Sequence, residues 1–177
     1  MRDADLYNAL DGIGARPIET GAFRHISQGR DCRSGEGARA FGGRWNPPSS
    51  FPVLYTSLTP EGAVAELTRL AERQRRRPAE FLPRILCELR ASLSRVVDLT
   101  SPETLKRLGV KLRDDPDDLA ASQAVGRVAH QLGFEGLLVP SIAGSHTNLV
   151  IFELNVTGSV EERGTRTWKS PDDLRLT

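Results

Sequence analysis

The sequence predicts an α+β fold in one domain, on three observations. Short apolar runs bounded by Gly, Pro and Asn read as strands, and two longer segments carry the apolar period of amphipathic helices. These segments follow one another without the strict strand–helix alternation of a doubly wound sheet, which sets α+β above α/β. At 177 residues the chain suits a single domain with a sizeable core.

Taken in order, "GAFRHIS" (Gly21–Ser27) reads as a short strand, followed by a Gly- and Arg-rich loop, "QGRDCRSGEGARAFGG", with no helical period. "FPVLYTS" is the next strand. In "SLTPEGAVAELTRLAERQRRR" Thr59 can cap a helix, Pro60 takes its first position and Glu61 its first turn. Ala63, Val64, Leu67, Leu70 and Ala71 form the apolar stripe of that helix. "RILCELR" and "SRVVDLT" read as two strands, and "SPETLKRLG" as a short helix from a Ser101 cap to a Gly109 stop. "DDLAASQAVGRVAHQLG", residues 117–133, is the second long helix, with Val125, Val128, Ala129 and Leu132 inward. "GLLVPS" and "NLVIFEL" are apolar strands joined by "SIAGSHT". The core is expected over about residues 20–155, and the polar stretch 156–177 as a peripheral C-terminal tail.

Composition narrows the function. Net charge is +1, from 24 Lys and Arg against 23 Asp and Glu, so no global field drives the chain onto nucleic acid or an anionic membrane. Cys32 and Cys87 show no framework spacing and read as free thiols of a reducing compartment. His25, His130 and His146 lack ligand spacing, so no metal is expected. The N-terminus has no apolar leader and no stretch approaches a membrane span, which points to a cytoplasmic protein. Walker, dinucleotide-fingerprint and G-x-S-x-G signatures are missing.

What remains is a dispersed set. Arg24 interrupts an apolar strand; a half-buried guanidinium there wants either an internal carboxylate or an anionic ligand. Arg44 and Trp45 follow a Gly-Gly turn that can present N–H groups to an anion. Trp45 and Tyr55 fit a core plug or an aromatic wall. Glu66 lies roughly 40° outside the apolar stripe of its helix. It fits a solvated flank paired with Arg69 or Arg73, or a carboxylate facing a ligand past the small residues Gly62, Ala63 and Ala65. The arginine run from Arg69 to Arg77 resembles a nucleic-acid patch, but cations also belong at a helix C-terminus and no aromatic interleaves.

The blocks "FRHIS", "SGEGARAFGGRWNPP", "VLYTS", "AVAEL", "SQAVG", "GLLVPS" and "TNLVIFEL" together resemble the RES-domain family. The resemblance implies an ADP-ribosyltransferase-like core and an NAD+-degrading toxin of a type II toxin–antitoxin pair, acting as glycohydrolase or phosphorylase. An ADP-ribosyltransferase acting on a protein is the alternative, and a nucleic-acid-binding module a further one. By the same resemblance Arg24, Glu66 and Tyr55 are catalytic, and His25, Arg44, Trp45, Asn148 and either Ser141 or Ser122 contact NAD+. Many relatives carry tyrosine at the His25 position, and the phosphorolysing mycobacterial member has a pocket serine where this chain has Ala120. NAD+ is thus substrate rather than cofactor, with inorganic phosphate as an open co-substrate. The implied partner is an Xre-type antitoxin covering the active site; DNA is met only through it, and a homodimer is left open.

Overall fold

In the computed structural model of the chain, residues 2–112 and 118–175 are described. Among them the helices are α1 (Asp3–Ile13), α2 (Glu36–Phe41), α3 (Pro60–Arg73), α4 (Pro102–Arg107) and α5 (Ala120–Gln131). The strands are β1 (Arg16–Ser27), β2 (Val53–Ser57), β3 (Arg84–Asp98), β4 (Gly136–Pro140), β5 (Thr147–Phe152) and β6 (Ser159–Trp168). The architecture is α+β, as expected, but the sheet closes on itself. β1, β2, β5, β4 and β3 follow in ring order, β3 returns to β1, and β6 extends the sheet from β3. Only the β3–β4 pair is parallel among these ladders.

Closure depends on the length of β3. One edge of β3 pairs with β1, while the other pairs with β6 over Arg84–Ser92 and then with β4 over Val96–Asp98. The expected division into two strands is therefore corrected to one. Cys87, Leu89, Ala91 and Leu93 are buried while Glu88, Arg90 and Ser92 are exposed, the period-two alternation of an unbroken strand. At the other side of the ring, β1 and β2 share a single pair, Phe23 with Ser57. The seam between them is otherwise unzipped, and that opening positions the site.

Helix signals hold where chemistry is local. Thr59 Oγ1 accepts the Gly62 N–H at 3.1 Å, and Pro60 opens α3. Ser101 Oγ accepts the Thr104 N–H at 3.4 Å, and Gly109 follows α4 with φ 74°. The expected start of the second long helix at Asp117 lies outside the described residues; α5 itself begins at Ala120. The loop 28–43 contains the six-residue α2.

Apolar side chains pack on both faces of the ring. Ala22, Ile26, Leu54, Leu89, Leu149 and Ile151 lie in one cluster, and Val53, Val150 and Phe152 join α1, α4 and α5 in another. The core is not confined to residues 20–155, because Leu6 and Leu10 of α1 belong to it. Nor is 156–177 a peripheral tail: it supplies β6, and Trp168 is fully buried against α3 and Leu86. Its polar appearance comes from an edge strand with one solvated face. The thiol reading is also overturned. Cys32 and Cys87 form a disulfide, with Cα atoms 5.8 Å apart, because the loop after β1 folds back over the strand pair that sets Arg24 opposite Cys87. No helix among the described residues is long and apolar enough to cross a membrane.

One buried carboxylate ties β3 to the segments that lead into β4 and β6. Glu135, 1% exposed, accepts N–H groups from Ser94, Arg95 (2.9 Å), Thr157 (2.5 Å) and Gly158 (3.2 Å), and the Thr157 hydroxyl at 2.5 Å. Burial pushes its pKa up, but the Thr157, Arg95 and Ser94 donors outweigh burial and bring it down to about 2 from 4.5. A depressed folded pKa contributes stability above the unfolded value that is lost as pH falls toward the folded one. Glu135→Gln, which turns an amide N–H₂ toward backbone donors, is expected to destabilise the fold by about 3 kcal/mol at neutral pH. The gap to the unmodified chain should close between pH 5 and pH 2, within the window the two values set. Denaturant titrations across that window check it; a pH-independent gap would show that the charge is irrelevant.

Candidate active site

A cleft of about 820 Å³ opens on the outer face of β1, β2 and β5, between α3 and the turn that follows α2. Glu66 lies in it, nearly two helical turns beyond the Thr59 cap of α3. The carboxylate is neither a solvated flank nor the partner of Arg69 or Arg73. Its Oε1 accepts the Ser141 hydroxyl at 2.8 Å and the Asn148 amide N–H₂ at 2.7 Å. Asn148 is oriented in turn by Ser57, whose hydroxyl donates to Oδ1 at 2.7 Å, and Ser141 Oγ accepts the Ala143 N–H at 2.9 Å. Among the described residues Oε2 takes no hydrogen bond, so one oxygen is fixed and the other is left unengaged in a side chain that lines the cleft.

Arg24 stands where β1 and β2 part. Its Nη1 donates to the carbonyls of Cys32 (3.2 Å) and Ser34 (3.1 Å), binding the loop that the disulfide also ties down. No ion pair involves it among the described residues, and its Nε is buried without a partner. Burial works against its charge, while Glu153 and Asp31 nearby support it. Next to it, His25 also lines the cleft. Burial, then Arg84 and Arg24, pushes its pKa down to about 3, so the imidazole is neutral at working pH.

The GGRWN turn is built around Tyr55. Gly42 has φ 73°, and a Cβ on Gly43 would meet the Tyr55 hydroxyl at 2.5 Å. That hydroxyl accepts the Trp45 N–H at 2.8 Å and donates to Asn46 Oδ1 at 2.8 Å. Burial pushes the phenol up, against the opposing Trp45 N–H and Arg44. Tyr55 thus holds the turn and walls the cleft, and the turn brings Arg44 to the same cavity.

Trp45, expected among the NAD+ contacts, borders the cleft but is chiefly a core plug, 2% exposed. α5 packs so closely on it that a Cβ on Gly126 would meet its carbonyl oxygen at 1.8 Å. Of the two candidate serines, Ser141 reaches Glu66, whereas Ser122 is buried and donates to the Leu119 carbonyl at 3.1 Å. Asn148, expected against the substrate, has both amide ends engaged within the protein.

Sequence reasoning missed several participants. Ser57 and Gln123 act across distant segments, the latter donating to the Gly43 carbonyl at 2.9 Å. No local signal marks either. Arg69 and Arg73 also line the cleft, and their i+3 and i+7 spacing from Glu66 could have placed them there.

Comparison with known proteins points to one family. The RES domain family matches residues 20–173. The chain is 34% identical over 146 residues to the NAD(+) phosphorylase MbcT of Mycobacterium tuberculosis and of Mycobacterium bovis, covering 80% of this chain and 78% of theirs. It also superposes on a chain from the crystal structure of the M. tuberculosis MbcT–MbcA toxin–antitoxin complex. There the TM-score is 0.86 at 30% identity, over 93% of this chain and 92% of that one.

Proposed function

The chain belongs to the RES-domain family, and on that premise we propose that it is the toxin of a toxin–antitoxin pair and destroys NAD+ by cleaving the nicotinamide–ribose bond. The relatives' NAD(+) phosphorylase name supports the substrate. The observation that carries the reading is Glu66, held through one oxygen by Ser141 and Asn148 in a cleft that Arg24 and Arg44 also line. Nicotinamide leaves through an oxocarbenium-like state. That step needs a fixed negative charge beside the anomeric carbon and cations on the pyrophosphate more than it needs acid catalysis. Glu66 supplies the first; Arg24 and Arg44 supply the second. Neutral His25 lies against the ring of the substrate, and Tyr55 acts by positioning the turn.

On this reading the core works as an ADP-ribosyltransferase-like scaffold whose acceptor is water or phosphate. The antitoxin, of Xre type, sits over the cleft mouth, where Phe41 is 86% exposed. The cytoplasm follows from the substrate alone, since the thiol argument no longer holds.

Purified protein incubated with NAD+, with and without phosphate, tests the proposal by mass spectrometry of the products. Free ADP-ribose or its phosphorylated form supports it, a modified protein would point to transferase activity, and intact NAD+ would end it. Arg24→Ala should lose at least tenfold in NAD+ turnover while keeping its circular dichroism, because truncation removes an anion contact rather than an ion pair. Unchanged turnover per folded molecule would remove Arg24 from the site.

A further inference from the structure

Among the described residues the cleft is lined by five arginines, Arg24, Arg44, Arg69, Arg73 and Arg84, and one carboxylate, Glu66. A dinucleotide brings two phosphate charges, partly offset by its pyridinium, and Arg24 with Arg44 suffices for these. Three cations are left over. Arg69 and Arg73 lie one turn apart on the Glu66 face of α3, on either side of Leu70. Leu70 packs in one cluster with Leu86, which brings these arginines to the start of β3, where Arg84 stands.

Among the described residues none of the three makes an ion pair. Arg84 Nη1 reaches only the Ser27 hydroxyl, at 3.4 Å, and its Nε is buried without a partner. The neighbouring His25 Nδ1 is buried and unpartnered as well. Buried donors without acceptors are rare unless a ligand supplies them, and guanidinium groups match phosphate oxygens in bidentate geometry.

We propose that Arg69, Arg73 and Arg84 form a subsite for a phosphate dianion separate from the dinucleotide's pyrophosphate. The subsite rests on the reading of the cleft as an NAD+ site. Two sources carry this chemistry: free inorganic phosphate, or a phosphomonoester on the adenosine ribose of the dinucleotide, as in NADP+. If the source is free phosphate, one of its oxygens forms the new bond to the anomeric carbon. The carbon–nitrogen electron pair then leaves with neutral nicotinamide, and no proton need move.

The test compares the unmodified chain with Arg69→Gln/Arg73→Gln, glutamine being as good a helix former as arginine. Inorganic phosphate alone is titrated by calorimetry at constant ionic strength, and NAD+ and NADP+ affinities are measured in a Glu66→Gln background. Saturable phosphate binding that weakens at least tenfold in the double variant assigns free phosphate. A tenfold preference for NADP+ that collapses in the double variant assigns the carried phosphomonoester. If the unmodified chain shows neither, or the double variant keeps what it shows, the subsite does not exist. Arg84→Gln should weaken the same readout, and Arg73→Lys, which keeps the charge, should restore part of it. Failure of the unmodified chain to consume NAD+ would refute the parent reading instead, and the phosphate titration would still decide the subsite.

Discussion

Glu66→Gln is expected to lower kcat for NAD+ cleavage by roughly 10²–10³, the loss typical of one preorganised electrostatic contact. The variant keeps the shape of the side chain but replaces a carboxylate whose Oε1 is held by two donors. The charge matters most when positive charge develops at the ribose carbon, so affinity for intact NAD+ should change far less than kcat. Expression of the unmodified chain should halt growth and drain cellular NAD+, and the variant should be tolerated. Single-turnover rates and NAD+ affinity, measured side by side, decide the matter. A near-normal kcat would remove Glu66 from the chemistry. Loss of affinity equal to the loss of rate would make it a ground-state binding group.

The largest stability effect is expected from the Cys32–Cys87 bridge. It closes a loop with a sequence separation of 55, for which chain entropy predicts about 4 kcal/mol. In a chain of this size that corresponds to roughly 10 °C in Tm. Cys32→Ala/Cys87→Ala should show the drop in a thermal scan. Because Arg24 is held by the carbonyls of Cys32 and Ser34, KM for NAD+ should rise in the same variant. Reductant should reproduce both effects in the unmodified chain and leave the double variant unmoved. An unchanged Tm in the variant would mean that the loop is secured without the bridge, for instance by the Gly35 N–H to Glu153 bond at 2.7 Å.

Much of the architecture was legible because its causes are local. The Thr59 and Ser101 caps, Pro60 and the apolar stripe of α3 act within a turn or two of the chain, and these elements stand where propensity puts them. Arg24 and the GGRWN turn could be singled out because each breaks its local pattern, a cation in a strand and glycines before an arginine, whereas the helix period left Glu66 open between a solvated flank and a ligand-facing carboxylate. Their chemical meaning came from family resemblance, not from periodicity. The polar stretch 156–177 misled for a related reason: an edge strand with a solvated face looks like a tail until its partner β3 is known.

By itself the sequence determined the α+β class, the two capped helices and a short roster of residues that local packing does not explain. Tertiary structure decided everything that depends on contacts distant along the chain. It closed the sheet into a ring, joined Cys32 to Cys87 and made Glu135 a buried anchor. It also brought Ser141 and Asn148 to Glu66 across 75 and 82 residues, and Ser57 to Asn148 across 91. Trp45 became core and Ser122 turned to its own helix for the same reason. A hydrogen bond or a packing contact is set by where two segments meet in space, and residue spacing carries that information only within a helix turn, a strand pair or a tight turn.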